Sequence, residues 1–186
     1  SLGRFAADEG SASCAQALAG QYVPKVGSNA STPCPQGTFT PEAGAASCLP
    51  CDAGLYADSL GSFACKEASV GYYCPLPGSE TMLPCEPGTF SAATGQSQCS
   101  ECGAGTFTNS SATTECTRCA IGKIAVERGS RVCRPCSTPS TSTTGLGSRS
   151  EAECVCEETK YYHAISNDTG SCKSCPEEMT CVQGST

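Results

Sequence analysis

The stretch CPQGTFTPEAGAASCLPC, residues 34–51, returns in edited form as CEPGTFSAATGQSQCSEC at residues 85–102 and as CGAGTFTNSSATTECTRC at residues 102–119. The shared pattern is C-x2-G-x-aromatic-x8-C-x2-C with a step of 17 residues, starting at Cys34, Cys51, Cys85, Cys102 and Cys119. The third residue after each starting cysteine is a glycine: Gly37, Gly54, Gly88, Gly105 and Gly122. Two residues further stand Phe39, Tyr56, Phe90 and Phe107, with Ile124 as an aliphatic substitute. Ten residues after the starting cysteine come Gly44, Gly61, Gly95 and Gly129, with Ala112 as the exception. Repetition at a fixed short period decides the architecture before any single element is assigned.

Each copy reads as a small hairpin. The first glycine permits a positive φ just after the cysteine. A short strand such as Thr38-Phe39-Thr40 follows, its aromatic ring expected over the disulfide. Pro41-Glu42-Ala43-Gly44 and Asp58-Ser59-Leu60-Gly61 carry turn residues, and a return strand runs to the next cysteine. A cystine closing a loop of this size stabilises the unit by about 3 kcal/mol in the loop-entropy account. No unit can bury a core alone, so stability comes from its staple and its neighbours. The expected fold is small and disulfide-rich, with tandem cysteine-rich β-hairpin repeats stacked as an elongated rod and little helix.

The expected organisation is a degenerate first repeat over 1–33, where Gly20-Gln21-Tyr22 echoes the glycine-x-aromatic step. Cysteine-rich repeats with a GYYCP insertion follow over 34–84, then regular repeats over 85–136. Residues 137–175 form a module with a Ser/Thr-rich loop, and 176–186 begin a truncated further repeat. Two segments are expected to break the register. Residues 65–85 contain the extra Cys74, and residues 136–156 carry STPSTSTTGLGSRS, read as a surface loop and a candidate for O-linked sugar.

Composition narrows the function. Cysteine is 18 of 186 residues, tryptophan is absent, and only 38% of residues are hydrophobic, cysteines included. That is the balance of a disulfide scaffold from an oxidising compartment, where cross-links supply what burial does not. A net charge of −7, with 11 scattered basic residues, excludes nucleic acid and an anionic membrane surface as partners. No apolar run approaches the roughly 20 residues a spanning helix needs, so no membrane insertion is expected within the segment. Asn29-Ala30-Ser31, Asn109-Ser110-Ser111 and Asn167-Asp168-Thr169 are N-glycosylation sequons, with Asn109 expected at an exposed turn. They support the secretory route and an extracellular or cell-surface location. The chain is expected to be a piece of a longer or processed protein, since it begins at Ser1 without a leader and ends shortly after Cys181.

Three cysteine chemistries compete. Cys99, Cys102, Cys116 and Cys119 have C-x2-C-x13-C-x2-C spacing, close to that of a zinc ribbon. Their pairs overlap with a continuous ladder of others, so one four-ligand site would strand its neighbours. A redox pair would sit singly at a helix N-terminus, which the scattered CxxC pairs do not. Disulfides fit the array best. Two pairings remain open at this point. Local closure gives Cys34–Cys48, Cys51–Cys65, Cys85–Cys99, Cys102–Cys116, Cys119–Cys133, Cys136–Cys154 and Cys156–Cys172. It leaves Cys14, Cys74, Cys175 and Cys181, for which Cys175–Cys181 would be short and Cys14–Cys74 long and awkward. An interlaced pattern, as in EGF-like modules, gives Cys34–Cys51 and Cys48–Cys65 instead.

CPQGTF, GYYCP, CEPGTF and CGAGTF resemble the cysteine-rich repeats called ephrin-receptor-like or GCC-type. Residues 119–172, with C-x2-G, CxxC, a Ser/Thr-rich segment and CxC, are similar to the cysteine-rich region of ephrin receptors. The CPQGTF opening is also similar to the first loop of tumour-necrosis-factor-receptor modules, whose closure is local, and that likeness implies the local pairing here. Such repeats occur in receptor ectodomains and in long surface proteins of protists and algae, including flagellar hairs (mastigonemes).

No other motif points to catalysis. His163 is the lone histidine and stands beside Tyr161 and Tyr162, so a general base has little support. Glu157-Glu158 and Glu177-Glu178 lack the alternation and glycine of a calcium loop and read as a solvated acidic face. Tyr72 and Tyr73 read as cover for a cystine. The expectation is a non-enzymatic extracellular segment without a cofactor, carrying N-linked and O-linked glycans. Its partners would be other protein chains, by self-assembly into a filament, sheath or flagellar hair, or as a spacer or ligand-presenting part of a receptor or adhesion ectodomain.

Overall fold

The computed structural model describes residues 1–6, 13–137, 141–156, 160–163 and 171–174. Among these residues lie ten antiparallel two-stranded hairpins, and the one helical element is a single 3-10 turn, Glu151–Glu153. The protein is a tandem array of disulfide-rich β-hairpins. It divides into two compact units, Ser1–Cys85 with Ser91–Cys99, and Glu86–Phe90 with Ser100–Thr186.

In the first unit the hairpins pair Arg4–Phe5 with Ala15–Gln16, Gln21–Tyr22 with Thr32–Pro33, and Thr38–Phe39 with Leu49–Pro50. Leu55–Tyr56 with Lys66–Glu67, and Tyr72–Tyr73 with Leu83–Pro84, complete it. The second unit pairs Thr89–Phe90 with Ser100–Glu101, Thr106–Phe107 with Thr117–Arg118, and Lys123–Ile124 with Arg134–Pro135. Thr141–Thr143 with Cys154–Cys156, and Lys160–His163 with Ser171–Ser174, follow.

Two-residue strands cannot hold a sheet, so their backbone groups must bond elsewhere. They bond to the next repeat. Residues 34–50 illustrate the rule. The Thr38 N–H donates to the Pro35 carbonyl at 3.1 Å, closing a β-turn whose third residue, Gly37, has φ +76°. A turn with φ near +80° at that position is type II and selects glycine. The Gly37 N–H then donates to the Ala57 carbonyl at 2.8 Å, and the Gly37 carbonyl accepts from the Cys51 N–H at 2.9 Å. The Thr40 N–H reaches the Ser62 carbonyl, and the Cys34 carbonyl accepts from the Gly61 N–H. The same set recurs in the second unit, where Gly105 bonds Ala125 and Cys119, Thr108 bonds Ser130, and Cys102 accepts from Gly129.

Gly37 is fixed by space as well as by φ. A Cβ there would lie 2.1 Å from the Gly78 carbonyl oxygen, two repeats further on, and at Gly105 it would lie 2.0 Å from the Gly147 carbonyl. Backbone therefore packs on backbone, leaving no room for a side chain. Ala112 stands where the other repeats carry their second glycine, and it adopts φ +57°, the one non-glycine positive φ described.

The interior is built from small groups. Cys34, Cys51, Cys85, Cys102 and Cys119 are fully buried, and so are Ala17 and Ala68 at the corresponding positions. A second buried position recurs every 17 residues, as a column of Val23, Thr40, Ala57, Cys74 and Ser91 in the first unit and as Thr108 and Ala125 in the second. The aromatic residues of the repeat are half-buried. Phe107 packs against Cys119, Ala125 and Cys133, so the expected contact of ring and cystine is made with the cystine of the following repeat.

The expected break over residues 65–85 does not occur. Tyr72–Tyr73 pairs with Leu83–Pro84 one 17-residue step after the preceding hairpin, and the Gly71 N–H donates to the Ser91 carbonyl at 2.8 Å in the usual way. Residues 1–33 likewise hold two hairpins in register. Within STPSTSTTGLGSRS, residues 138–140 lie outside the described residues, but Thr141–Thr143 is a strand and Thr143 is buried. The Thr143 hydroxyl oxygen accepts from the Gly122 N–H at 2.9 Å, replacing the backbone carbonyl that serves this glycine position elsewhere. Thr143 is thus part of the interior, while Thr144 beside it is exposed.

Two substitutions test this account. Gly37→Ala is expected to destabilise the protein by at least about 2 kcal/mol, since the left-handed conformation costs an L-residue 1–2 kcal/mol before any overlap. An unchanged urea midpoint would contradict the close approach. Ala112→Gly removes the left-handed penalty but loosens the unfolded chain, for a net gain of about 0.5–1 kcal/mol. A lower melting temperature would show that φ at this site carries no strain.

Candidate functional site

The chemistry of this chain is concentrated in its cysteines. Among the described residues seven disulfides join Cys34–Cys48, Cys51–Cys65, Cys85–Cys99, Cys102–Cys116, Cys119–Cys133, Cys136–Cys154 and Cys156–Cys172. The first five span 14 residues each, and the last two span 18 and 16. Cα separations of 5.6–5.9 Å are those of relaxed cystines. Each closes its own repeat, so the interlaced pairing Cys34–Cys51 and Cys48–Cys65 is not formed. The hairpin explains why. The type II turn and the two-residue strands return the chain so that the cysteine following the outer loop faces the cysteine that opened the repeat.

Two repeats lack the staple. Residues 17–33 have Ala17 and Ser31 at the two cystine positions, and residues 68–84 have Ala68 and Met82. Ser31 donates its hydroxyl to Gln21, while the Met82 sulfur accepts from the Ser69 N–H at 3.4 Å. Cys14 and Cys74 are free, the first exposed and the second buried. Cys74 belongs to the column of small buried residues and not to the stapling position. Its sulfur lies 3.8 Å from the Thr81 carbonyl oxygen, and burial pushes its thiol pKa up. Cys175 and Cys181, considered above as a short bridge, lie outside the described residues.

Zinc-ribbon spacing does not become a zinc site here. Cys99, Cys102, Cys116 and Cys119 are distributed over three disulfides and offer no thiolate. Among the described residues, one group of metal-ligating atoms falls within 4.8 Å of one another: Cys136, Glu151 and Cys154. Its two sulfurs are bonded to each other. The Glu151 carboxylate accepts from the Ser137 hydroxyl at 2.6 Å, from the Ser137 N–H at 3.2 Å, and from the Arg134 guanidinium. Glu151 thus ties down the loop that Cys136–Cys154 closes. The Ser137 hydrogen bonds, followed by Arg134, hold its carboxyl below the ordinary value of 4.5.

Other polar groups are engaged in similar local ties. Lys66 donates to Asp58 at 2.8 Å and stands 6.0 Å from the centre of the Tyr56 ring. Asp58 is lowered by hydrogen bonding to Lys66, and Lys66 is raised by the same contact. An open cleft in the second unit is lined by Ile124, Val126, Glu127, Ser130, Val132 and Arg134 among others, and the Ser130 hydroxyl donates to the Glu127 backbone carbonyl at 2.6 Å. His163 pairs through its backbone with Ser171, and Glu157, Glu158, Glu177 and Glu178 lie outside the described residues.

Asn29 and Asn109 are exposed. The side-chain oxygen of Asn109 accepts from the Ser110 hydroxyl at 3.3 Å, and Ser111 of the same sequon is exposed. Asn167 lies outside the described residues. No helix among the described residues is long and apolar enough to cross a membrane.

Residues 20–67 match the family described as tyrosine-protein kinase ephrin type A/B receptor-like. The match spans three hairpins of the first unit, and the same hairpin and staple recur beyond it. No curated protein matches the chain. The matched family is a non-catalytic ectodomain type, and with the many disulfides it points to an extracellular or cell-surface protein.

Supplying the missing staple tests the register. Ala68→Cys with Met82→Cys, in a Cys74→Ala background, is expected to form a further bridge and add up to about 3 kcal/mol. Recovery of both new thiols as alkylated cysteines would show that these positions are not equivalent to Cys51 and Cys65. For Glu151, whose folded pKa is lowered, the stabilising contribution is complete above the ordinary carboxylate value and is lost as pH falls through the folded value. Amide exchange at Ser137, corrected for intrinsic rates, should therefore accelerate on acidification, and Glu151→Gln should abolish that pH dependence. A dependence that survives Glu151→Gln would assign it to another group.

Proposed function

We propose that this chain is a non-enzymatic structural segment of an extracellular, receptor-like protein, acting as a stapled spacer between other parts. The observation that carries the reading is the identity of successive steps. Most repeats pass the same backbone bonds to the next and add their own cystine. Such an array resists unfolding one repeat at a time and presents no assembled reacting groups among the described residues. The ephrin-receptor-like match over residues 20–67 supports a receptor-type setting. Glycans on Asn29 and Asn109 would project from exposed positions and shield the array from proteases.

A second reading is assembly with copies of itself or with partner chains, as in a filament, sheath or flagellar hair. It is favoured by exposed apolar side chains in the first unit, including Leu18, Leu49, Leu60, Phe63, Leu76 and Leu83. Electron microscopy of the native material, with light scattering of the secreted protein, separates the two. Single particles and a concentration-independent monomer mass are expected for the spacer. Regular filaments in which this segment repeats would overturn it in favour of assembly.

A further inference from the structure

Cys14 is exposed and unpaired in a chain whose other described stapling cysteines are all joined. Its place in the repeat follows from the backbone and not from its sulfur alone. The Arg4 N–H donates to the Ser1 carbonyl at 3.3 Å, as Thr38 does to Pro35 and Leu55 to Asp52. Gly3 has φ +74°, and a Cβ on it would meet the Gly44 carbonyl oxygen at 1.8 Å, as one on Gly37 would meet Gly78. The Gly3 N–H donates to Val23, and the Gly3 carbonyl accepts from Ala17. Arg4 pairs with Gln16 and Phe5 with Ala15, matching Thr38 with Pro50 and Phe39 with Leu49. Ser1 is therefore the counterpart of Pro35 and Asp52, the residues directly after a starting cysteine. Cys14 is the counterpart of Cys48 and Cys65.

The two stapling positions change together. Where the second is Cys48, Cys65, Cys99, Cys116 or Cys133, the first is its disulfide partner 14 residues earlier. Where the second is Ser31 or Met82, the first is Ala17 or Ala68. A half-staple is found in none of these repeats. Cys74 is no alternative partner, because it is buried in the column of small residues, a different position of the repeat.

We propose that Cys14 is one half of a further staple whose other half is a cysteine immediately preceding Ser1 in the parent chain. The bond forms when two thiols join sulfur to sulfur and pass two electrons and two protons to a disulfide oxidant, which is reduced to two thiols. The closed loop has the same 14-residue span as the five regular ones. The inference does not depend on whether the protein is a spacer or a filament subunit.

Peptide mapping of the native parent protein, alkylated with iodoacetamide without reduction, tests it directly. The expected result is cysteine as the residue before Ser1, recovered cross-linked to Cys14 with neither alkylated. Any other residue there, an alkylated Cys14, or Cys14 linked to Cys74 or to a second copy would overturn the proposal. A second measurement compares this chain carrying an added cysteine before Ser1 with the same chain carrying serine there. The cysteine form should remain monomeric and take up one carbamidomethyl group fewer under denaturing, non-reducing conditions. An equal or greater uptake would overturn it.

Discussion

Everything in this protein depends on a backbone approaching a backbone. At Gly3, Gly20, Gly37, Gly54, Gly88 and Gly105 the glycine of the type II turn sits so close to a carbonyl two repeats away that a single methyl group would overlap it. That contact lets the turn amide and carbonyl reach the following repeat, and it aligns the remaining bonds between them. Side chains enter afterwards. The buried positions are cysteine, alanine, serine, threonine and an occasional valine or isoleucine, which fill narrow gaps without holding elements apart. A larger apolar core would require the backbones to separate and would break the bonds that define the fold.

The cystines follow from the same economy. Burial of such small groups yields little hydrophobic stabilisation, and the long apolar side chains are largely outside, as at Leu60, Phe63 and Val132. Closing each hairpin covalently lowers the entropy of the unfolded chain where packing cannot stabilise the folded one. The staple is not needed for the shape of a hairpin. Residues 68–84 fold in register with Ala68 and Met82 in place of a cystine, because the glycine turn and the inter-repeat bonds are intact.

Much of this was legible in the residues. The period, the turn glycines and the hairpins could be read from spacing because glycine and cysteine do work that no other residue can. The pairing needed the likeness to receptor modules, since spacing alone allowed an interlaced alternative. The unstapled repeat over 68–84 was hidden because the reading followed cysteines, and its extra Cys74 looked like an insertion when it is a small residue in a buried column. Thr143 was misplaced for a related reason. A Ser/Thr-rich composition signals solvent, yet one hydroxyl is enough to replace a carbonyl as acceptor for Gly122. The placement of Phe107 on the next repeat's cystine has no signature in a single repeat, because it is a property of two.

The unstapled repeat also changes how the chain would respond to tension. A stapled hairpin pulled from both sides cannot pay out its loop, since the load crosses the cystine and only the short CxxC spans can straighten. Between Cys65 and Cys85 no bond intercepts the load. If that hairpin yields, some 20 residues become free and at about 3.5 Å each can extend to a span of roughly 70 Å. The neighbouring stapled hairpins would stay shut, so residues 68–84, like the other unstapled repeat over 17–33, act as a fuse.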